Sequence, residues 1–289
     1  MASLVGVDLG GTHLRIARYD AGTLALQSDI QSETRAEQGF EAVLRECVVQ
    51  IRGMCAADTI GVGVGIPGLI HQPDGIVIKT PNIPDSEGVH AKKILETELS
   101  LPVAVQNDAN CFTLAEAVMG AGKGKHIVIG ITMGTGVGGG IVVDGRLFNG
   151  SHGFAGEFGH MLLQPGKPPF KTSDSRGEVE QFISGTAMGR RCVEATHPGD
   201  YLDGEVCEWM RPDIFREVAW LCTSLLYVLD PDVIVFGGSA GASLKPHLPS
   251  VMEELKRWTL PDTPLPELAA CMVKDAGTMG AALLVRAVK

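Results

Sequence analysis

Residues 4–15 read LVGVDLGGTHLR, and residues 127–143 read IVIGITMGTGVGGGIVV. Each stretch begins with an apolar strand, passes through a cluster of glycines and continues into a second strand. A glycine turn between strands exposes backbone N–H groups and can form a concave site for an anion such as phosphate. One such turn is equally consistent with a hairpin that needs glycine for its geometry alone. Two turns in matching places favour a duplicated phosphate-binding fold.

Outside these two stretches, the pattern of apolar residues predicts alternating strands and helices. Residues 4–32 are expected to form three consecutive antiparallel strands. In the first half, the expected elements that follow are a helix at 39–55, a strand from 59, a hairpin at Asp74-Gly75, a helix at 90–99, a strand at 102–108 and a helix from 109. In the second half, they are helices at 178–191 and 213–229, a strand at 232–238, and helices near 242–257 and from 278. The similar order in the two halves predicts a weak internal duplication.

The composition excludes several classes of protein. The net charge of −10 leaves no basic surface for a nucleic-acid backbone. The sequence contains neither an apolar leader nor a run of about 18 apolar residues, so no membrane partner is expected. Its seven cysteines are scattered without a C-x-x-C pair, which is typical of reduced thiols. We therefore expect a cytoplasmic protein.

Two common glycine motifs occur in the wrong context. Gly134-x-Gly136-x-x-Gly139 matches the dinucleotide-binding fingerprint, but a strand rather than a helix is predicted after it. Gly237-x-Ser239-x-Gly241 matches the nucleophile elbow of hydrolases, but no histidine follows His247 to complete a triad. The sequence also lacks a G-x-x-x-x-G-K-[ST] loop. Neither a dinucleotide site nor a hydrolase is therefore predicted.

The first glycine turn carries side chains suited to a nucleotide. Asp8 can reach a hydrated cation, Thr12 offers a hydroxyl to a phosphate oxygen, and Arg15 offers a positive charge. Asn107 and Asp108 end the strand at the middle of the chain, where a carboxylate can accept the proton of an attacking hydroxyl. The alternative for Asp108 is a purely structural role, as the N-cap of the following helix.

Further polar residues occur near glycines in the second half. Glu157 and His160 lie in GEFGH, and Glu180 precedes ISG. These side chains can converge on several hydroxyl groups of one ligand. The alternatives are that His160 is structural and that Glu180 stabilises the start of a helix.

Taken together in this order, the motifs resemble the ROK family of bacterial sugar kinases and regulators over essentially the whole chain. The motifs are DLGGTHLR (8–15), GIPGLI (65–70), PNIP (81–84), QNDANCFTLAEA (106–117), GTGVGGG (134–140), GEFGHM (156–161), DPDVIVFGGS (230–239) and DAGTMGAALL (275–284). The resemblance implies an α/β fold of two ribonuclease-H-like lobes of the actin/hexokinase type with a central cleft. The expected lobes are residues 1–108, with the helix at about 277–289 packing back on them, and residues 109–276.

The resemblance also implies roles for individual residues. Asp108 corresponds to the catalytic base, and Mg²⁺ is expected with ATP near Asp8. The residues expected to bind ATP, mainly its phosphates, are Asp8, Gly10, Gly11, Thr12, Arg15, Gly134, Thr135, Gly136, Gly237 and Gly238, the last two beside the adenosine. The residues expected to contact the sugar are Asn82, Asn107, Asp108, Glu157, His160 and Glu180. The resemblance further implies a homodimer.

The sequence departs from the family in one segment. Many members carry C-x-C-G-x-x-G-C after the GEFGH histidine and bind zinc there, whereas residues 161–185 contain no cysteine. Without thiolates a tetrahedral structural zinc site cannot form, so no structural zinc is predicted. Glu180 must then be held by packing alone.

The expected activity is ATP-dependent phosphorylation of a hydroxyl group, the 6-hydroxyl, of a hexose or N-acetylhexosamine. The alternative is a sugar-binding regulatory or sensor protein of the same family without kinase turnover. A repressor with an N-terminal DNA-binding domain is not expected, because the first glycine turn begins at Asp8. The sequence leaves the identity of the sugar open.

Overall fold

The computed structural model describes residues 2–286. Within these residues the strands are β1 (Ser3–Leu9), β2 (His13–Asp20), β3 (Leu26–Glu33), β4 (Thr59–Ile66), β5 (Leu69–His71), β6 (Ile76–Lys79), β7 (Val89–His90), β8 (Val103–Asn107), β9 (Ile127–Met133), β10 (Val137–Val143), β11 (Arg146–Leu147), β12 (Val233–Gly237) and β13 (Glu267–Ala270). The α-helices of the same part of the chain are α1 (Phe40–Met54), α2 (Ala91–Leu99), α3 (Asp108–Met119), α4 (Glu180–Ile183), α5 (Gly185–Arg191), α6 (Arg211–Leu229), α7 (Gly238–Ser243), α8 (Leu248–Trp258) and α9 (Ala276–Arg286).

The chain forms two compact units. Of the described residues, the first contains 2–115, 146–155 and 273–286, and the second contains 116–145 and 156–272. The sequence-based boundary at residue 108 differs from this division, which lies inside α3. The reason is that the first two turns of α3 pack under β4: a Cβ atom placed on Gly65 would lie 3.2 Å from the Sγ atom of Cys111. The predicted C-terminal helix belongs to the first unit as α9, and its expected last three residues lie outside the described residues.

The main sheet of the first unit has the order β3-β2-β1-β4-β8. β1, β2 and β3 are antiparallel neighbours, as predicted, and β4 and β8 extend the sheet in parallel with β1. Helix α1 buries one face, because its apolar residues recur every three or four positions. The buried residues of this face are Phe40, Val43, Leu44, Cys47, Val48, Ile51 and Met54. A separate three-stranded sheet has the order β5-β6-β7.

Helix α9 packs closely on the same sheet through glycines. A Cβ atom on Gly63 would lie 1.7 Å from the carbonyl oxygen of Ala281, and one on Gly6 would lie 1.9 Å from that of Thr278. On the helix side, a Cβ atom on Gly280 would lie 1.7 Å from the carbonyl oxygen of Cys111 in α3. Since real Cβ atoms never approach so closely, these positions require glycine for the backbone contact itself.

The sheet of the second unit runs β10-β9-β12-β13. β9 and β10 form an antiparallel hairpin, and β12 and β13 follow in parallel with β9. This order repeats that of β2-β1-β4-β8 in the first unit, which confirms the internal duplication predicted from the sequence. In both units the hairpin carries the glycine cluster.

Three details of the second unit differ from the sequence-based expectation. The helix expected at 178–191 is interrupted at Ser184, whose side chain accepts a hydrogen bond from the N–H of Ala187 and caps α5. The helix expected near 242–257 begins at Leu248, after the short α7. Strand β13 was not expected, because its sequence, ELAA, lacks the β-branched and aromatic residues that mark strands.

The expectation of reduced thiols is wrong for two of the seven cysteines. Cys192, which follows α5, forms a disulfide with Cys207, with the two Cα atoms 6.0 Å apart. The sequence gives no sign of this pair, because the separation of 15 residues matches no common motif and only the fold of the intervening segment brings the two together. The free cysteines of the described chain are Cys47, Cys55, Cys111, Cys222 and Cys271. Of the helices in residues 2–286, none is both long and apolar enough to cross a membrane.

Candidate active site

The first glycine turn connects β1 to β2 and is hydrogen-bonded to Thr34, which follows β3. The N–H of Gly10 donates to the carbonyl oxygen of His13 at 2.9 Å, and the Thr34 hydroxyl donates to the carbonyl oxygen of Gly10 at 2.6 Å. The N–H groups of Gly11 and Thr12 donate to none of the described residues. These two amides at an accessible turn can therefore bind an anion.

Asn82 lies beside this turn. A Cβ atom on Gly11 would be only 2.7 Å from the Cβ atom of Asn82, so Gly11 is required for the approach of the two segments. The side chain of Asn82 is exposed. The structure thus brings a residue predicted to contact the sugar next to a turn predicted to bind phosphate.

Asp8 has an unusual electrostatic environment. Burial and, second, the nearby carboxylate of Asp108 raise the pKa of Asp8 from 3.8 to about 6, against the opposing effect of Arg15. Asp8 and Arg15 are directly opposite each other in the β1–β2 pair, and Arg15 also forms an ion pair of 3.6 Å with Asp275. A Cβ atom on Gly277 would lie 2.6 Å from Oδ2 of Asp8, so the start of α9 packs against this carboxyl group.

Asn107, rather than Asp108, caps helix α3. The Oδ1 atom of Asn107 accepts hydrogen bonds from the N–H groups of Ala109 at 2.9 Å and Asn110 at 3.2 Å, and its Nδ2 donates to the carbonyl oxygen of Gly68 at 2.9 Å. Most of the hydrogen-bonding capacity of Asn107 is therefore used within the protein. The N-cap alternative considered for Asp108 applies to its neighbour instead.

Asp108 is the first residue of α3 and is partly exposed. Its Oδ1 atom accepts the N–H of Ala109 at 2.9 Å. Burial raises the pKa of Asp108, although the hydrogen bond from Ala109 opposes this. A carboxylate with an increased proton affinity is better suited to act as a general base than an ordinary surface aspartate.

The parallel strands bring Asp8 and Asp108 to one edge of the sheet. Asp8 pairs with Gly65 of β4, and Gly65 pairs with Gln106 of β8, two residues before Asp108. The carboxyl ends of parallel strands are where open α/β sheets bind their ligands. In the first unit, the structure therefore gathers the first glycine turn, Asn82, Asp8 and Asp108.

The second glycine turn, between β9 and β10, is braced by the start of α5. The N–H of Gly185 donates to the carbonyl oxygen of Gly134 at 2.7 Å, and the hydroxyl of Thr186 donates to that of Thr135 at 2.7 Å. Thr135 is exposed at the tip of the turn. These contacts fix the shape of the turn through its carbonyl groups and leave its tip accessible.

Gly237 and Gly238 lie beside the second glycine turn. Gly238 has a φ of 76°, and a Cβ atom on it would lie 2.5 Å from the carbonyl oxygen of Met133, the residue before Gly134. Only glycine combines this left-handed conformation with so close an approach. The structure thus brings the residues predicted to line adenosine next to a turn predicted to bind phosphate.

The predicted sugar-contact residues of the second unit gather at the start of β10. Glu157 precedes the short 3-10 turn Phe158–His160, and His160 is its last residue. The Phe158 ring occupies the space over Gly139. Oε2 of Glu180 accepts the N–H of Val137 at 3.0 Å. Glu180 is therefore held by a hydrogen bond to the end of the glycine turn, and not by packing alone.

Glu178 is a residue that the sequence analysis missed. Its carboxylate lies 3.0 Å from Nδ1 of His160 and 2.6 Å from Nε of Arg176. A guanidinium group at this distance does not fit a zinc site, whose neighbours are anionic thiolates or neutral imidazoles. Among residues 2–286, no three or more His, Cys, Asp or Glu side chains are grouped to hold a metal ion. The sequence signal was available in GEVE at 177–180, where a second glutamate lies two residues before Glu180.

Comparison with known proteins identifies the family. Residues 4–288 match the ROK family, and the chain belongs to it. The chain is 33% identical to the N-acetyl-D-glucosamine kinase of Photobacterium profundum, over 96% of this chain and 98% of that protein. The resemblance inferred from the motifs is therefore confirmed.

Solved structures of the family share this fold. The crystal structure of a ROK family glucokinase from Streptomyces griseus, in complex with glucose and AMPPNP, superimposes with a TM-score of 0.78 at 29% identity, over 99% of this chain and 100% of that one. A ROK family transcriptional regulator, a homologue of the E. coli MLC protein, superimposes with a TM-score of 0.85 at 21% identity, over 99% of this chain and 78% of that one, and shows the fold alone. The predicted actin/hexokinase-type fold is confirmed, and the relatives named above with more than 25% identity are sugar kinases.

Proposed function

We propose that this protein transfers the γ-phosphoryl group of ATP to the 6-hydroxyl of a hexose or N-acetylhexosamine, with Asp108 as the general base. The observation that carries the proposal is the pair of carboxyl groups at the carboxyl edge of the first sheet. Asp108 has a raised pKa, and its charge helps to raise the pKa of Asp8 to about 6. The sugar-kinase homologues support the general activity.

In this proposal the reaction depends on position and electrostatics. The carboxylate of Asp108 accepts the proton of the sugar hydroxyl as its oxygen attacks phosphorus, and the raised pKa favours this proton transfer. The amides of Gly11 and Thr12 stabilise negative charge on phosphate oxygens, since they have no partner among the described residues. Arg15 adds a positive charge on the same face as Asp8.

The residues around Asp8 fit a magnesium ion. Mg²⁺ prefers hard oxygen ligands and is usually held by one or two carboxylates together with the phosphates of a nucleotide. Asp8 is partly exposed, and the negative charge of Asp108 disfavours the ionised form of Asp8. A divalent cation would offset this repulsion and favour the ionised form of both carboxyl groups. When bound, the ion would neutralise charge on the phosphates, and Asp8 would hold it.

The remaining predicted residues take supporting roles. Gly134, Thr135 and Gly136 would contact phosphate, and Gly237 and Gly238 the adenosine. Asn82, Glu157, His160 and Glu180 would bind sugar hydroxyls. For Asn107 the proposal is narrower, because its amide already caps α3 and only one N–H of its Nδ2 remains for the sugar.

The test is an ADP-release assay with a panel of sugars and two variants. The panel contains glucose, N-acetylglucosamine, N-acetylmannosamine, allose, fructose and 6-deoxyglucose. Asp108→Asn should lower kcat by about 10²–10⁴-fold, the usual contribution of general-base catalysis, while the affinities for sugar and ATP stay unchanged. Asp144→Asn is the matched control, because Asp144 is an exposed aspartate at the turn after β10 and should leave kcat unchanged.

The outcomes separate the candidate functions. Sugar-dependent ADP release that Asp108→Asn abolishes supports the kinase, and binding of 6-deoxyglucose without ADP release supports transfer to the 6-hydroxyl. Sugar binding without turnover for every sugar instead favours a regulatory or sensor protein of the family. Near-normal kcat in Asp108→Asn contradicts the role of Asp108.

Three further points remain proposals. We propose a homodimer, as the resemblance implies, and a cytoplasmic location, which the composition favours. We also propose that structural zinc is absent, because residues 161–185 lack the cysteines with which the family binds it. Light scattering at several concentrations tests the dimer, and metal analysis of the purified protein tests the zinc. A monomer at all concentrations, or one zinc per chain, contradicts the corresponding statement.

A further inference from the structure

The imidazole of His160 has a buried anionic partner. Its Nδ1 atom lies 3.0 Å from Oε2 of Glu178. The side chain of Glu178 is only 8% exposed, whereas that of His160 is 54% exposed. One edge of the ring therefore faces a buried carboxylate, and much of the rest of the ring faces solvent.

Glu178 is fixed by the fold independently of His160. The N–H groups of Gly177 and Glu178 donate to Oε1 of Gln181 at 2.8 and 3.2 Å. The backbone of Glu178 also forms an isolated antiparallel β-bridge with Leu162, at the base of the loop between them. Arg176 supplies a positive charge 2.6 Å from its other carboxylate oxygen. The backbone at residue 178 is thus fixed without His160, and Arg176 contacts the carboxylate oxygen that His160 does not meet.

This arrangement determines which ring nitrogen of His160 carries the proton. An ionised carboxylate accepts hydrogen bonds and cannot donate one, so Nδ1 must be the donor. In a neutral imidazole the other nitrogen, Nε2, then carries a lone pair and can only accept. The hydrogen bond that one ring nitrogen makes sets the protonation of the other, and a carboxylate is a common partner of Nδ1–H.

We propose that Glu178 is a positioning residue that holds His160 as the Nδ1–H tautomer, so that Nε2 accepts a hydrogen bond from one sugar hydroxyl. This inference rests on the proposed function, in which His160 contacts the sugar. It makes that hydroxyl an obligatory donor. A sugar in which the same hydroxyl is replaced by fluorine cannot donate and should bind more weakly.

The experiment compares three variants of the full-length protein. Glu178→Gln is nearly isosteric. Because Arg176 is a donor beside Oε1, the amide oxygen is favoured at that position, and the NH2 group then faces Nδ1 and favours the opposite tautomer. Glu178→Asp retains the carboxylate and tests rescue. Asp144→Asn is the matched control, since Asp144 forms the same kind of pair with Nδ1 of His126, at 2.5 Å, but on an exposed turn.

Two readouts are measured. Long-range ¹H–¹⁵N NMR spectra of the imidazole groups at pH 8 report the tautomer, and the signals of His160 are assigned by their loss in His160→Ala. We expect the Nδ1–H tautomer in the native protein and in Asp144→Asn, and its loss in Glu178→Gln. The sugar KM should rise about tenfold in Glu178→Gln, the size expected for one lost hydrogen bond, while kcat and the KM for ATP change far less. Glu178→Asp should lie between the two.

A panel of monodeoxyfluoro analogues of the preferred sugar gives the sharper test. One analogue should show a large KM penalty with the native protein and a much smaller one with His160→Ala and Glu178→Gln. An Nε2–H tautomer in the native protein overturns the inference, and so does a sugar KM in Glu178→Gln no different from that in Asp144→Asn. If no sugar supports turnover, the proposed kinase activity is wrong. The role of Glu178 is then decided by the tautomer of His160 and by the affinity for sugar, measured by calorimetry in the same variants.

Discussion

Replacing Asp8 by asparagine should make the protein more stable, although it removes a residue of the candidate active site. In the folded protein, burial and the charge of Asp108 raise the pKa of Asp8 from 3.8 to about 6. An ionised Asp8 is therefore less favourable in the folded state than in the unfolded chain. Asparagine has nearly the same shape and carries no charge, so it removes this cost.

The pKa values give the size of the effect and its dependence on pH. Each tenfold change in proton affinity corresponds to ~1.4 kcal/mol, so the full difference between 3.8 and about 6 is worth about 3 kcal/mol. Well below pH 4 both states are protonated and the cost is absent. Between pH 4 and 6 the unfolded chain binds fewer protons than the folded one, so stability falls as pH rises. The gain from Asp8→Asn should be about 1 kcal/mol at pH 4.5 and about 3 kcal/mol at pH 7.

The assay is urea denaturation of the native protein and Asp8→Asn at both pH values, without nucleotide or metal. Asp232→Asn is the control of opposite sign. The N–H groups of Ile127 and His126 hold the pKa of Asp232 below its ordinary value, so its replacement should destabilise the protein. Added Mg²⁺ should stabilise the native protein more than Asp8→Asn, because ligand binding to the folded state alone increases stability.

The reasoning is refuted if Asp8→Asn is no more stable than the native protein at pH 7, or if its gain is the same at pH 4.5 as at pH 7. The second result would show that the substitution acts through packing against Gly277 rather than through charge. A stabilisation at pH 7 together with loss of kinase activity would instead show that the site retains an unfavourable carboxylate for its function.

Two further substitutions test the packing and the covalent structure. Replacing Cys192 and Cys207 by serine should lower the free energy of unfolding by about 3 kcal/mol, because the disulfide closes a loop of about 15 residues. Both proteins are measured without reductant. An unchanged free energy of unfolding would mean that the disulfide does not form in solution. Gly63→Ala should destabilise the protein by more than about 3 kcal/mol, because its Cβ would lie 1.7 Å from a backbone oxygen of α9. The control is Gly53→Ala in α1, where a Cβ would have no neighbour within 4 Å; this variant should be neutral or slightly stabilising. Thermal denaturation measures both.

The local patterns that the sequence revealed are those that depend on neighbours along the chain. The apolar period of α1 and the strand–glycine–strand hairpins were predicted with nearly correct bounds, because helix and strand periodicity are local properties. Strand β13 and the break at Ser184 were missed. In both cases contacts from distant parts of the chain, such as the pairing of β13 with β12, override a weak local preference.

The candidate site shows the same division. The glycine turns, Asp8 and Asp108 were identified from sequence, and the structure places each at the carboxyl edge of a sheet or at a hairpin tip. The N-cap role, considered for Asp108 as the alternative to catalysis, belongs to Asn107, because both residues are good N-cap residues and only the backbone geometry selects Asn107.

By itself, the sequence determined the family, the order of most elements and the residue types that the chemistry requires, because glycine turns and apolar periods leave a record in consecutive residues. The tertiary structure alone decided which side chains meet. The raised pKa of Asp8 depends first on its burial and second on Asp108, a hundred residues later in the chain. The orientation of His160 depends on Glu178, and the disulfide depends on the fold of the segment between its cysteines. Distances between groups far apart in sequence arise only when the chain packs, and electrostatics and hydrogen bonding depend on those distances.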